Sequence, residues 1–341
     1  MSEIKSNHPN GAKPIQAVLA TLAYEPHELA SLAEKVAPAQ FIHCRETDAE
    51  GIEAALKYVD VALIAGDLDD RFIRARNLKW VHCDHSGLTR SAKPEIFEKG
   101  LLVTGSAGRS AAALAQHAFY FALGLTFDVK KLLKSQSEHA WRAIPGYDKK
   151  LGLAGKTLGI VGYGQTGREM AKLGKAFQMK VVAFNRSMVP DSEDVDVMLC
   201  AERGDSIESL LLEADVLMLA TQLTDVTYRM FGAEQFSKMK QSSFIINMAR
   251  GEVIDERALI NALRSGEIAG AGLDVFAIEP LPAESPLWDL HNVLLTPHMT
   301  PGLPDKRKRS INMMLDNIDR YREGRPMLNL LQKRDVFTPK S

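Results

Sequence analysis

"TLGIVGYGQTGREMAKLGKAF", residues 157–177, carries the first architectural signal in this chain. An apolar, strand-like run is followed by Gly162-Tyr163-Gly164-Gln165-Thr166-Gly167, and the sequence then takes on helical spacing. A G-x-G-x-x-G match is weak alone, but a strand directly before it and a helix directly after it are the context of a phosphate-cradling turn. The glycines permit a tight reversal and close backbone approach. The helix start at Gln165, Thr166 and Gly167 offers unpaired N–H groups and partial positive charge to a pyrophosphate.

The next strand, "VVAFNRS" at residues 181–187, ends without the acidic residue that normally accepts hydrogen bonds from a ribose of NAD. Asn185 takes that place and does not repel phosphate. Arg186 has a planar fork suited to a 2′-phosphate, and Ser187 adds a hydroxyl donor. The expected cofactor is NADP(H), with NAD(H) accepted as well.

On both sides of this unit, strand and helix signals alternate. From 15 to 105, "AVLATL", "QFIHCR", "VALIAG", "KWVHCD" and "LLVTG" are separated by helical segments, the pattern of a parallel α/β sheet. A second series contains "TLGIVG", "VVAFN", "DVLMLA", "SFIINM", "GAGLDVF" and "VLLTP", apolar nearly throughout, as in a sheet covered on both faces. Asp255 before "ERALINALRS" and Gly266 after it stand where an N-cap and a C′ glycine belong. Between the series, residues 110–134 predict one long Ala/Leu-rich helix, buried on several sides as at a domain crossing or an oligomer contact. A last amphipathic helix is expected at about 304–323, packed near the first domain. Two doubly wound domains are expected, 14–109 with 304–341, and 110–303.

Three further stretches bring chemistry. "INMARGEVID" puts Arg250 just past one strand, "GLDVFAIEPLP" puts Asp274 and Glu279 near the next, and "LLTPHMTPG" puts His298 after the last. In an open parallel sheet, ligands collect outside the carboxyl ends of the strands. With "LKWVHCDHSGL", "TGSAG" and "AQH" upstream, these motifs in this order resemble the D-isomer-specific 2-hydroxyacid dehydrogenase family, in its glyoxylate/hydroxypyruvate reductase-like branch.

The resemblance implies a flavodoxin-like substrate domain built from both chain ends and a Rossmann-type coenzyme domain between them, with the active site in the cleft. It implies a homodimer through the 110–134 helix and a small 2-keto or 2-hydroxy acid as substrate. Carried over by position, His298 is the acid/base, and Glu279 stabilises its imidazolium and fixes the ring. Arg250 grips the substrate carboxylate and polarises the keto oxygen. Asp274 bonds the nicotinamide carboxamide, and backbone N–H groups at Ser86 and Gly87 hold the carboxylate from the other domain. The expected activity is NADPH-preferring reduction of a small 2-keto acid to a D-2-hydroxy acid. The alternative is a dinucleotide-sensing, corepressor-like protein on the same fold. Gln116 and Gly105 depart from common Glu and Asn at the start of the crossing helix, and Arg109 is read as extending an anion site or facing solvent.

Composition narrows the classes. With 42 Lys+Arg against 43 Asp+Glu the formal net charge is −1, so no global basic field attracts nucleic acid or acidic membrane. Three cysteines, widely spaced, suit reduced core thiols and a cytoplasmic setting. No signal peptide or membrane span is expected, because the most apolar stretches fall short of ~20 residues. His82-Cys83-Asp84-His85 are not expected to bind metal, since neighbours on a strand face opposite ways. The charges of Asp305 to Arg309 are read as a solvated helix start.

Overall fold

The computed structural model describes residues 13–142, 144–150, 152–300 and 302–338. The chain divides into two compact units, Met1–Arg109 with Leu303–Ser341, and Ser110–Gly302.

The first unit holds β1 (Ala17–Ala20), β2 (Gln40–His43), β3 (Val61–Ile64), β4 (Trp80–Cys83) and β5 (Leu102–Gly105), all parallel, in the order β2-β1-β3-β4-β5. That is the flavodoxin-like order. Side-chain alternation sends Val18, Ala20, Leu63 and Trp80 to one face and Leu19, Ala62, Val81 and Cys83 to the other, and both faces are covered. The helix Lys306–Glu323 lays Met314, Ile318 and Tyr321 on the first face, where Tyr321 stacks on Trp80 at 5.3 Å. Each such fully buried side chain contributes roughly 1.5–3 kcal/mol. Asp305 precedes this helix and pairs with Arg309 at 2.9 Å, while Arg307 reaches Glu28 at 3.1 Å.

The second unit holds β6 (Thr157–Val161), β7 (Lys180–Asn185), β8 (Val197–Cys200), β9 (Val216–Leu219), β10 (Phe244–Asn247), β11 (Gly270–Leu273) and β12 (Val293–Leu295). All pairings are parallel, in the order β12-β11-β10-β9-β6-β7-β8. Strand order reverses between β6 and β9, the switch point where a Rossmann-type sheet opens a crevice for ligand. The helix Gln165–Ala176 buries Gly167, Met170, Ala171 and Gly174, a stripe at helical spacing. Its close seating requires glycine at 174, where a Cβ would come within 2.6 Å of Leu158.

Two expectations need correction. The stretch 110–134 is not one helix: Ala111–Thr126 and Val129–Ser137 are separated at Phe127 and Asp128. Asp128 adopts a left-handed conformation with φ of 55°, and its carboxylate is held by Lys131 at 2.8 Å and Lys150 at 3.4 Å. A carboxylate with one neighbouring and one more distant cation accompanies the break, which apolar periodicity alone would not reveal. β8 was not expected; it is an edge strand whose residues are only partly buried until Cys200.

Gly105 ends β5 rather than starting the helix, and a Cβ there would press on Leu88 at 2.8 Å. Arg109 does not simply face solvent. Its side chain donates to Asp84 at 2.6 Å and to Ser310 at 3.1 Å, in a partly buried network that also draws Tyr24 onto Asp84. His82, wholly buried, bonds Thr104 and Ser106, and the three cysteines are free and buried. Among the described residues, no helix is long and apolar enough to cross a membrane.

Candidate active site

The glycine turn is built as its sequence requires. Gly162 has φ of 95°, and a Cβ there would meet Ala220 O at 2.7 Å and Thr221 N at 2.8 Å. At Gly167 a Cβ would lie 2.1 Å from Gly162 O, so the helix can begin only with glycine in that place. Gly164 is different. Its φ of −78° suits any residue, and a Cβ there would touch no protein atom within 4 Å. Packing does not account for glycine at 164, and the space beside it is open. No side chain caps the helix N-terminus at Gly164, so the N–H groups near Gln165 and Thr166 remain directed outward from the crevice end of β6. This cradle fits the pyrophosphate of a dinucleotide.

Asn185 closes the turn. Its side-chain oxygen accepts the Tyr163 N–H at 3.1 Å, and its amide nitrogen donates to Ser187 O at 2.8 Å. One amide hydrogen and one lone pair stay available to a ribose. Arg186 is exposed beside it. The Ser187 hydroxyl donates to Glu202 at 2.9 Å, and Glu202 N–H bonds Arg186 O at 3.0 Å. Glu202, just past β8, therefore sets a carboxylate at the strand end that lacks one in sequence. It was missed because the edge strand just before it was missed.

Arg250, Glu279 and His298 stand on the loops after β10, β11 and β12. Asn247, at the end of β10, shapes the first loop by donating to Arg250 O at 2.9 Å and accepting Ala249 N–H at 3.0 Å. Gly251 then packs on the second loop so closely that a Cβ would fall 1.8 Å from the carbonyl carbon of Phe276. That approach brings the Arg250 loop against the segment leading to Glu279. Glu279 uses one oxygen to accept Phe276 N–H at 3.0 Å and the other to hold His298 Nδ1 at 2.7 Å. With a carboxylate at Nδ1, that nitrogen carries hydrogen and the Nε2 edge of the half-exposed ring is left for chemistry. His298 adopts φ of 53°, a left-handed conformation costing on the order of 1–3 kcal/mol for a side-chain-bearing residue, so its loop must be held by its surroundings.

Asp274, 2% exposed, does much of that holding. Its carboxylate accepts Thr296 Oγ1–H at 2.6 Å, Met299 N–H at 3.0 Å and a longer contact from Thr300 at 3.4 Å. His117, from the helix Ala111–Thr126, joins the same two threonines, a connection motif reading did not find. In the first unit, Ser86 and Gly87 follow β4 and are partly buried, with Ser86 Oγ donating to Ser106 O at 3.2 Å.

Comparison with known proteins identifies relatives of the chain. Residues 119–300 match the family model described as D-isomer specific 2-hydroxyacid dehydrogenase, NAD binding domain. A glyoxylate reductase of Thermococcus litoralis is 37% identical over 253 residues, covering 72% of this chain and 73% of that protein. The crystal structure of a D-isomer specific 2-hydroxyacid dehydrogenase from Xanthobacter autotrophicus, in complex with NADPH, has a TM-score of 0.77 at 26% identity, covering 94% of this chain and 99% of that one. An NADPH-dependent glyoxylate/hydroxypyruvate reductase from Sinorhizobium meliloti, in complex with NADP, has a TM-score of 0.76 at 25% identity and covers 94% and 100%. The chain belongs to the D-isomer specific 2-hydroxyacid dehydrogenase family.

Proposed function

We propose that this protein is an NADPH-preferring reductase of small 2-keto acids of the glyoxylate or hydroxypyruvate type, giving D-2-hydroxy acids. The observation that carries the reading is the Glu279–His298 pair at 2.7 Å on loops adjoining that of Arg250, beyond the carboxyl ends of β10, β11 and β12. Bound along the glycine turn, the reduced nicotinamide would supply a hydride to the keto carbon.

The side chains supply the rest. Arg250, a permanent cation with several donors, binds the substrate carboxylate and draws electron density onto the keto oxygen. His298 gives the Nε2 proton to that oxygen as negative charge develops, and the Nδ1 hydrogen stays on the Glu279 carboxylate side. Proton and hydride together convert the ketone to an alcohol. Asp274 keeps acceptor capacity for the carboxamide while it anchors the His298 loop. Ser86 and Gly87 are assigned to the substrate carboxylate. Arg186 and Ser187 are assigned to the 2′-phosphate, in keeping with the NADPH and NADP complexes of the relatives from Xanthobacter and Sinorhizobium.

A homodimer through residues 110–134 is part of this reading, supported by exposed Tyr120, Phe127, Leu132 and Leu133. Three buried thiols favour a reducing, cytoplasmic setting.

Arg250→Ala and His298→Asn test the assignment. Both should keep NADPH binding, read by nucleotide fluorescence, while kcat/KM for glyoxylate falls by about 10²–10³-fold or more. Undiminished turnover in either variant contradicts the assigned roles.

A further inference from the structure

The loop carrying His298 is flanked by two threonines, and both hydroxyls converge on one buried imidazole. His117 Nε2 lies 3.1 Å from Thr296 Oγ1, and Nδ1 lies 2.9 Å from Thr300 Oγ1. The ring is 7% exposed and stacks on Phe121 at 4.8 Å, so it cannot turn away to solvent.

Counting hydrogens fixes the direction of the first bond. Asp274 is an acceptor only, and its 2.6 Å contact claims the single hydroxyl hydrogen of Thr296. Thr296 Oγ1 must then accept from His117, so Nε2 carries hydrogen. Burial lowers the basicity of His117 despite the opposing charge of Asp274, which favours the neutral ring with hydrogen on Nε2 alone. The Thr300 hydroxyl donates to that nitrogen at 2.9 Å in preference to the 3.4 Å path to Asp274. One chain of bonds results, Thr300 to His117 to Thr296 to Asp274.

We infer that His117, as the Nε2–H tautomer, is a positioning residue that clamps both ends of the Thr296–Thr300 loop and thereby sets the aim of His298. The task needs one donor and one acceptor on opposite edges of a rigid side chain. Lys and Arg donate only, Phe does neither, and Gln offers both on a flexible stem. The inference rests on reading His298 as the proton donor.

Two measurements test it. In two-bond ¹H–¹⁵N spectra of ¹⁵N-histidine-labelled protein, assigned by the signal that His117→Gln removes, His117 should show a protonated Nε2 and a bare Nδ1. In NADPH-dependent reduction of glyoxylate, His117→Phe, which keeps the stacking, should lower kcat about tenfold or more, and His117→Gln should recover most of that loss. A protonated Nδ1, or a Phe variant with full kcat, overturns the inference. If the Phe variant does not fold, the wild-type spectrum and a Gln variant no better than His117→Ala still decide. Should the wild-type protein reduce no 2-keto acid, the functional reading fails while the tautomer is still measured independently.

Discussion

Glu279 is itself anchored while it holds His298: one carboxylate oxygen accepts Phe276 N–H at 3.0 Å and the other meets His298 Nδ1 at 2.7 Å. The carboxylate is thus not a mobile surface acid, although it is partly exposed. Glu279→Gln keeps the shape and removes the negative charge beside His298 Nδ1. The expected result is a fall in kcat of about 10–100-fold with the NADPH KM little changed. Steady-state kinetics with both substrates varied would check it, and an unchanged kcat would show the charge to be dispensable.

Gly164 separates ligand contact from packing. Because a Cβ there meets no protein atom, Gly164→Ala should leave the thermal midpoint within a degree or two and weaken NADPH binding tenfold or more. Gly251→Ala should do the reverse in emphasis, destabilising the fold because its Cβ would overlap the Phe276 carbonyl carbon. Calorimetry and nucleotide titration of the two variants give the contrast. Equal NADPH affinity in Gly164→Ala would remove the cradle assignment.

Glu202 works against the phosphate selectivity assigned to Arg186. Its carboxylate accepts the Ser187 hydroxyl at 2.9 Å, so a 2′-phosphate at that hydroxyl meets a like charge. Glu202→Gln should raise the NADPH/NADH ratio of kcat/KM several-fold. Arg186→Ala should lower that ratio by about 10–150-fold, the worth of a charged hydrogen bond. If both variants leave the ratio unaltered, the strand end does not read the 2′-position.

His82 makes the first unit acid-sensitive. Burial pushes its imidazole down from the ordinary value near 6.5 to about 4, so the folded chain refuses a proton that the unfolded chain accepts. Stability is flat above pH 6.5 from this source and falls as pH drops from 6.5 towards 4, by about 2 kcal/mol at pH 5. Urea midpoints at pH 7 and 5 should therefore diverge more in the wild-type protein than in His82→Gln. Parallel pH dependence would contradict the buried neutral state.

Much of the architecture was legible because it rests on local rules. Continuous apolar runs marked the buried parallel strands, and the caps at Asp255 and Gly266 appear in the structure, with Asp255 accepting Ala258 N–H at 3.1 Å and Gly266 at φ of 71°. The features that escaped depend on distant partners or weak patterns. β8 has a half-exposed edge-strand face, and Glu202 went unnoticed with it. The break at Asp128 depends on Lys150, far along the chain, as well as on nearby Lys131. Arg109 looked available as a lone cation, but Asp84 and Ser310 meet it only after folding. His117 stood out in sequence as part of the motif "AQH". Its two threonines lie about 180 residues away in sequence, beyond any local pattern.

The most direct test of the central claim is NADPH oxidation by the wild-type protein across glyoxylate, hydroxypyruvate, pyruvate and bulkier 2-keto acids, with the chirality of the alcohol determined. Turnover of at least one small member is expected, lost in Arg250→Ala, with a D-2-hydroxy acid as product. Tight NADPH binding without turnover of any of these acids would contradict that claim.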